Sequence, residues 1–97
     1  MYVILTSKPG EFTTELVDGL TPVETYDYIF YGRKKAEYVI AELAGDVRVR
    51  IVDAVDPSIV NNVPSKFLEK FDSVESARAE LGALTRFGNI DAQLVSR

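Results

Sequence analysis

Within one 20-residue stretch, Glu24 to Leu43 (ETYDYIFYGRKKAEYVIAEL), the hydrophobic period changes, and the reading of that change decides the fold class. Glu24 to Tyr31 is β-branched or aromatic at nearly every position and is closed by Gly32, which predicts a strand ending in a tight turn. Alternation places Tyr26, Tyr28 and Phe30 on one face, and Thr25, Asp27, Ile29 and Tyr31 on the other. After Gly32 the apolar residues Ala36, Val39, Ile40 and Leu43 fall at i, i+3, i+4 and i+7, the stripe of a helix. Alanine, lysine, glutamate and leucine favour helix, and Gly45 stands where a left-handed cap is expected. The spacing therefore predicts a helix over 33–44. The competing reading is a strand over 36–43, because Tyr38, Val39 and Ile40 are all strand formers; it would pair with the aromatic strand across Gly32, Arg33, Lys34 and Lys35.

The rest of the chain arranges itself around this unit. Tyr2–Ser7 reads as a strand covered on both faces, Lys8–Glu11 as a turn of the Pro-Gly type and Phe12–Val17 as a second strand, so an N-terminal hairpin is expected. Residues 47–55 alternate, with Val47, Val49 and Ile51 on one side and Arg48, Arg50 and Val52 on the other. Ile59–Val63 suits a short strand ended by Pro64, and SKFLEKF a helical turn presenting Phe67, Leu68 and Phe71 to the core. Asp72 and Glu75 have capping-box spacing and open a helix with Val74, Ala77, Leu81 and Leu84 inward; Phe87, Gly88 and Asn89 end it before a last strand over 90–95. The order strand, helix, strand, strand, helix, strand is that of a ferredoxin-like α+β sandwich preceded by a β-hairpin, with two helices on one sheet face. A strand at 36–43 would instead imply a mostly antiparallel sheet or partial barrel with one long C-terminal helix.

At 97 residues the chain suits a single α+β domain over 1–97. The absence of cysteine excludes disulfides and thiol catalysis, and the absence of histidine removes the commonest general base and transition-metal ligand together. No motif for a nucleotide, a metal or a nucleophile is present, so no cofactor, metal site or catalytic residue is assigned. No apolar run is long enough to span a membrane, and without a signal-peptide pattern the expected location is cytoplasmic. A net charge of −4 counts against nucleic acid, which recruits positive surface.

Two constellations remain as candidate binding residues. Arg33, Lys34, Lys35, Arg48 and Arg50 place five of the eleven basic residues within eighteen positions, which suits an anion or phosphate site at the positive start of the expected helix, or a solvated helix start whose lysines pair with Glu37, Glu42 or Asp46. Tyr26, Tyr28 and Phe30 form an aromatic strand face of the kind found at protein interfaces and, on some sheets, under stacked bases. Tyrosine and arginine are the residues most enriched at interface hot spots. The expected function is a small non-enzymatic accessory or regulatory protein that binds another protein, with self-association into a homodimer as one form of it. The alternatives are a cofactor-independent small-molecule enzyme or ligand-binding protein, whose sign would be a closed cavity lined by Tyr26, Tyr28 and Tyr38, and a nucleic-acid-binding module using the five cations.

Overall fold

In the computed structural model, which describes residues 1–85 and 92–97, the stretch from 33 to 43 is a strand and not a helix. The described elements are β1 (Tyr2–Ser7), β2 (Phe12–Glu15), β3 (Leu20–Phe30), β4 (Arg33–Leu43), β5 (Arg48–Asp53), β6 (Val60–Pro64), a 3-10 turn (Ser65–Phe67), α1 (Val74–Leu84) and β7 (Ala92–Ser96). They build a four-stranded antiparallel sheet ordered β1-β4-β3-β7 and a three-stranded antiparallel sheet ordered β2-β5-β6. The ferredoxin-like sandwich is thereby overturned: the described chain is mostly sheet and carries one α-helix, where that fold needs two.

The reason lies in how β4 is buried. Ile40 packs with Ala77 and Leu81 of α1, and Tyr38 joins that cluster, while Val39, Ala41 and Leu43 pack with Val3, Leu5 and Val49 on the opposite face. A central strand covered on both sides needs apolar residues at consecutive positions, so Tyr38–Ala41 gives a run with no period of 2, and the flanking Ala36 and Leu43 complete a chance helical stripe. The turn between β3 and β4 is also shorter than expected. Phe30 pairs with Arg33, and the two residues between them, Tyr31 (φ 50°) and Gly32 (φ 76°), both have the left-handed backbone of a type I′ hairpin turn.

The N-terminal hairpin does not form either. β1 and β2 touch at a single Lys8–Phe12 bridge and then part, β1 pairing with β4 and β2 with β5. The Thr14 hydroxyl donates to the Thr6 carbonyl and the Thr14 amide to Ser7 Oγ (2.9 Å), so this corner joins the two sheets. The result is three layers, with α1 on one face of the larger sheet and the smaller sheet over part of the other.

Two local expectations also change. Ser73, not Asp72, caps α1: its Oγ accepts from the Ser76 amide at 3.1 Å. Ala77 and Leu81 are buried as expected, but Leu84 is half exposed. In the 3-10 turn Phe67 points outward, 72% exposed beneath the Lys66 ammonium, and Leu68 packs inward. Ser65 is buried there, its Oγ accepting from the Val47 amide at 3.0 Å and its amide donating to the Val47 carbonyl at 2.8 Å. The expected helix stop at Phe87–Asn89 lies outside the described residues, and the last strand is described from Ala92.

Candidate functional site

The end of the β3–β4 hairpin collects most of the side chains that stand out chemically. Both strands have eleven residues, which carry the turn away from the part of the sheet covered by β2, β5 and β6. A bulge between Tyr28 and Ile29 leaves Lys35 between the pairs Tyr28–Ala36 and Ile29–Lys34.

On the α1 side of this hairpin the aromatic rings form a chain. Tyr31 meets Phe30 edge-on at 4.7 Å between centroids, Phe30 lies 6.3 Å from Tyr28, and Tyr28 lies 6.4 Å from Tyr38. Tyr38 stands opposite Tyr26 in the ladder. Burial grades along the chain, from Tyr28 at 8% exposed to Tyr31 at 63%. Burial also raises the Tyr38 hydroxyl above its ordinary pKa.

Below the rings, Glu24 gathers three donors. Arg78 of α1 reaches both its oxygens, Nε to Oε1 at 2.7 Å and Nη2 to Oε2, and the Tyr26 hydroxyl donates to Oε1 at 2.6 Å. The Arg78 contacts first, then the Tyr26 hydrogen bond, pull the Glu24 carboxyl down to about 2. Donation to the same carboxylate raises the Tyr26 hydroxyl. This arrangement clamps the helix to the sheet.

The opposite face of the hairpin is ionic. Lys34 Nζ lies 3.0 Å from Asp27 Oδ1 and 3.2 Å from Glu37 Oε2; Arg97 Nη2 lies 2.9 Å from the same Asp27 oxygen and 2.5 Å from Glu37 Oε2. Asp27 Oδ1 is shut off from water. Burial alone would raise the Asp27 carboxyl, but Lys34 and Arg97 outweigh it and hold it below the ordinary carboxylate range, while Asp27 and Glu37 raise the Lys34 ammonium.

Tyr26, Tyr28, Phe30, Arg33, Lys34 and Lys35 thus come together on one hairpin, whereas Arg48 and Arg50 sit on β5 of the other sheet. Arg50 Nε is paired with Glu15 Oε1 at 2.7 Å, and Lys34 is committed to Asp27 and Glu37. Among the described residues Arg33 and Lys35 are exposed and have no carboxylate partner. No family model, curated protein or solved structure matches the chain.

Pattern reasoning passed over Tyr31, Asp27, Glu37 and Arg97. Alternation put Tyr31 at the end of a strand; the Tyr31-Gly32 dipeptide was the available sign of a turn. Arg97 could not be placed beside Asp27 and Glu37 without knowing that β7 pairs with β3. Asp53, at the end of β5, and Asp56 in the turn after it serve the backbone: Asp53 Oδ1 accepts from the Val55 and Asp56 amides at 2.8 and 2.9 Å, and Asp56 Oδ1 accepts from the Ser58 amide and hydroxyl at 3.1 and 2.6 Å. None of Tyr26, Tyr28 and Tyr38 lines the open cleft of Asp46, Val47, Arg48, Pro64, Ser65 and Lys66, or the apolar one between Ile4, Phe12, Val49 and Leu68. Among the described residues no three His, Cys, Asp or Glu side chains converge as metal ligands, and no helix is long and apolar enough to cross a membrane.

Proposed function

We propose that the protein is a small non-enzymatic accessory or regulatory protein that binds another protein through the end of the β3–β4 hairpin, using Tyr31, Arg33 and Lys35. The observation that carries this reading is the backbone of Tyr31. A non-glycine residue in the left-handed region costs about 1–2 kcal/mol, and asparagine, aspartate or glycine would occupy the first position of a type I′ turn more cheaply. A bulky ring held there, largely exposed and braced by Phe30, is a costly choice for a turn and a suitable one for a contact.

The partner's chemistry follows from the charges. Lys34 is neutralised within its own sheet, and among the described residues Arg33 and Lys35, exposed at the start of β4 after Tyr31, have no carboxylate partner. They suit a partner surface that offers carboxylates around a shallow apolar depression able to take a tyrosine. Tyr28 is too buried to touch a partner and supports the ring chain from beneath.

The test is co-purification from the protein's own cell extract with three baits: wild type, Tyr31→Asn and Arg33→Glu/Lys35→Glu. A partner retained by wild type should be lost with both variants while their unfolding transitions remain cooperative. Retention of the same partner by both variants would overturn the reading, as would capture of nucleic acid in place of protein.

A further inference from the structure

The outer edge of β7 offers a second surface, independent of the hairpin tip. β7 is the last strand of its sheet, and its register on β3 runs Tyr26–Ser96, Asp27–Val95, Tyr28–Leu94, Ile29–Gln93 and Phe30–Ala92. The Arg97 amide donates to the Thr25 carbonyl at 2.9 Å, so the odd-numbered residues of this strand turn their backbone groups to β3. By the alternation of an antiparallel ladder, Ala92, Leu94 and Ser96 turn theirs away from the sheet.

Other strand edges in the molecule are guarded. β1 is closed at its ends by the bridges Tyr2–Phe71 and Lys8–Phe12, β2 is held against β1 by Thr14, and β6 carries exposed Asn61 and Asn62 and ends in Pro64. Among the described residues β7 has none of these devices. Ala92–Ser96 (AQLVS) contains no proline and no charge, its pairing has no bulge, and Val95 is 44% exposed. Such an edge is a template for another strand.

Charge selects the occupant. The protein carries a net charge of −4, so two copies repel in general. Among the described residues beside β7, however, Lys34 and Arg97 balance Asp27 and Glu37, so these charges cancel and two copies can meet along this strip without them facing each other as like charges. The stretch is also self-complementary: a twofold axis at Leu94 sets Ala92 opposite Ser96 of the partner subunit and leaves every outward backbone group paired.

We infer that the protein self-associates through antiparallel pairing of β7 with β7 of a second copy, joining two four-stranded sheets into one. About six backbone hydrogen bonds would close the pair. One strand pair buries little surface, so the dimer forms with a dissociation constant on the order of tens of micromolar. This surface goes beyond the hairpin reading, and either can fail alone.

The experiment is light scattering from micromolar to about 1 mM protein, with residue-resolved amide exchange at both ends of that range. The expected result is a monomer–dimer equilibrium in which the Leu94 and Ser96 amides gain protection at least tenfold with concentration. The Gln93 and Val95 amides, already bonded to β3, should stay protected throughout. Ser96→Pro removes an outward donor without touching the β3 ladder and should leave a monomer, while Ser96→Ala should dimerise like wild type. If Ser96→Pro fails to fold, Val95→Lys, which brings two like charges to the contact, should weaken association at least tenfold. Three results would overturn the inference: a wild-type monomer at about 1 mM, a dimer whose Leu94 and Ser96 amides exchange as in the monomer, or an undiminished dimer in a folded edge variant.

Discussion

Arg78 and Glu24, 54 positions apart, face each other across the interface between α1 and β3 with two parallel contacts from guanidinium to carboxylate. That two-point pair, with Tyr26 donating to the same carboxylate, fixes where along the sheet the helix sits.

An acid dependence follows from it. The folded Glu24 carboxyl titrates near 2 and an unpaired one near 4.5, so between those values the unfolded chain binds more protons. The stabilisation is complete above about pH 4.5 and fades as the pH falls toward 2. Urea titrations between pH 5 and 2 should show Glu24→Gln losing less stability than wild type on acidification, although it is the less stable protein at pH 7.

The buried face of α1 should behave unlike its exposed end. Leu81 is fully buried against Ile40 and Ala77, so Leu81→Ala should cost about 2–5 kcal/mol by chemical denaturation. Leu84 is 51% exposed, and Leu84→Ala should stay within about 0.5 kcal/mol.

The hairpin turn supplies a test in which stability and binding move apart. Asparagine accepts a left-handed backbone more readily than tyrosine, so Tyr31→Asn should hold or raise the thermal midpoint, by up to about 1 kcal/mol in stability, while abolishing partner binding. Gly32→Ala should lower stability by about 1–2 kcal/mol, since its φ of 76° then bears a side chain.

On the ionic face the pair Lys34–Asp27 should show coupling. Lys34→Met leaves the water-excluded Asp27 oxygen with Arg97 as its cation, and Asp27→Asn leaves Lys34 with Glu37. Because Lys34 is more than one-third exposed, a double-mutant cycle should give a coupling of about 0.5–1 kcal/mol, falling as salt is added.

The aromatic strand ahead of Gly32, the alternation around Val49 and Ile51 and the helix with Ala77 and Leu81 inward were all readable from local pattern. The same pattern puts the candidate binding residues in two separate groups, Tyr26, Tyr28 and Phe30 as a strand face and Arg33, Lys34 and Lys35 with Arg48 and Arg50 as a basic cluster; only the β3–β4 pairing puts the first six on one hairpin. The misreadings have specific causes. Phe67 was expected inward with its neighbour Leu68, but the 3-10 turn around buried Ser65 turns Phe67 out to solvent and Leu68 into the core. Arg48 and Arg50 were grouped with Arg33–Lys35 by proximity along the chain, and the loop after β4 sends them to the other sheet.

What the sequence by itself determined is local. β-branched and aromatic residues select an extended backbone, glycine permits the turn at Tyr31–Gly32, and the Ser73 and Ser7 hydroxyl oxygens accept from the free amides of Ser76 and Thr14. Tertiary structure decided whether residues 33–43 are helix or strand. Their apolar residues fall on a helical stripe and equally fill a strand covered on both faces, and burial against α1 on one side and the β2-β5-β6 sheet on the other is available only to a strand between β1 and β3. Long-range pairing decided the charged site as well: Asp27, Lys34 and Glu37 meet Arg97 only because β7 closes the sheet beside β3, a contact no local spacing can encode.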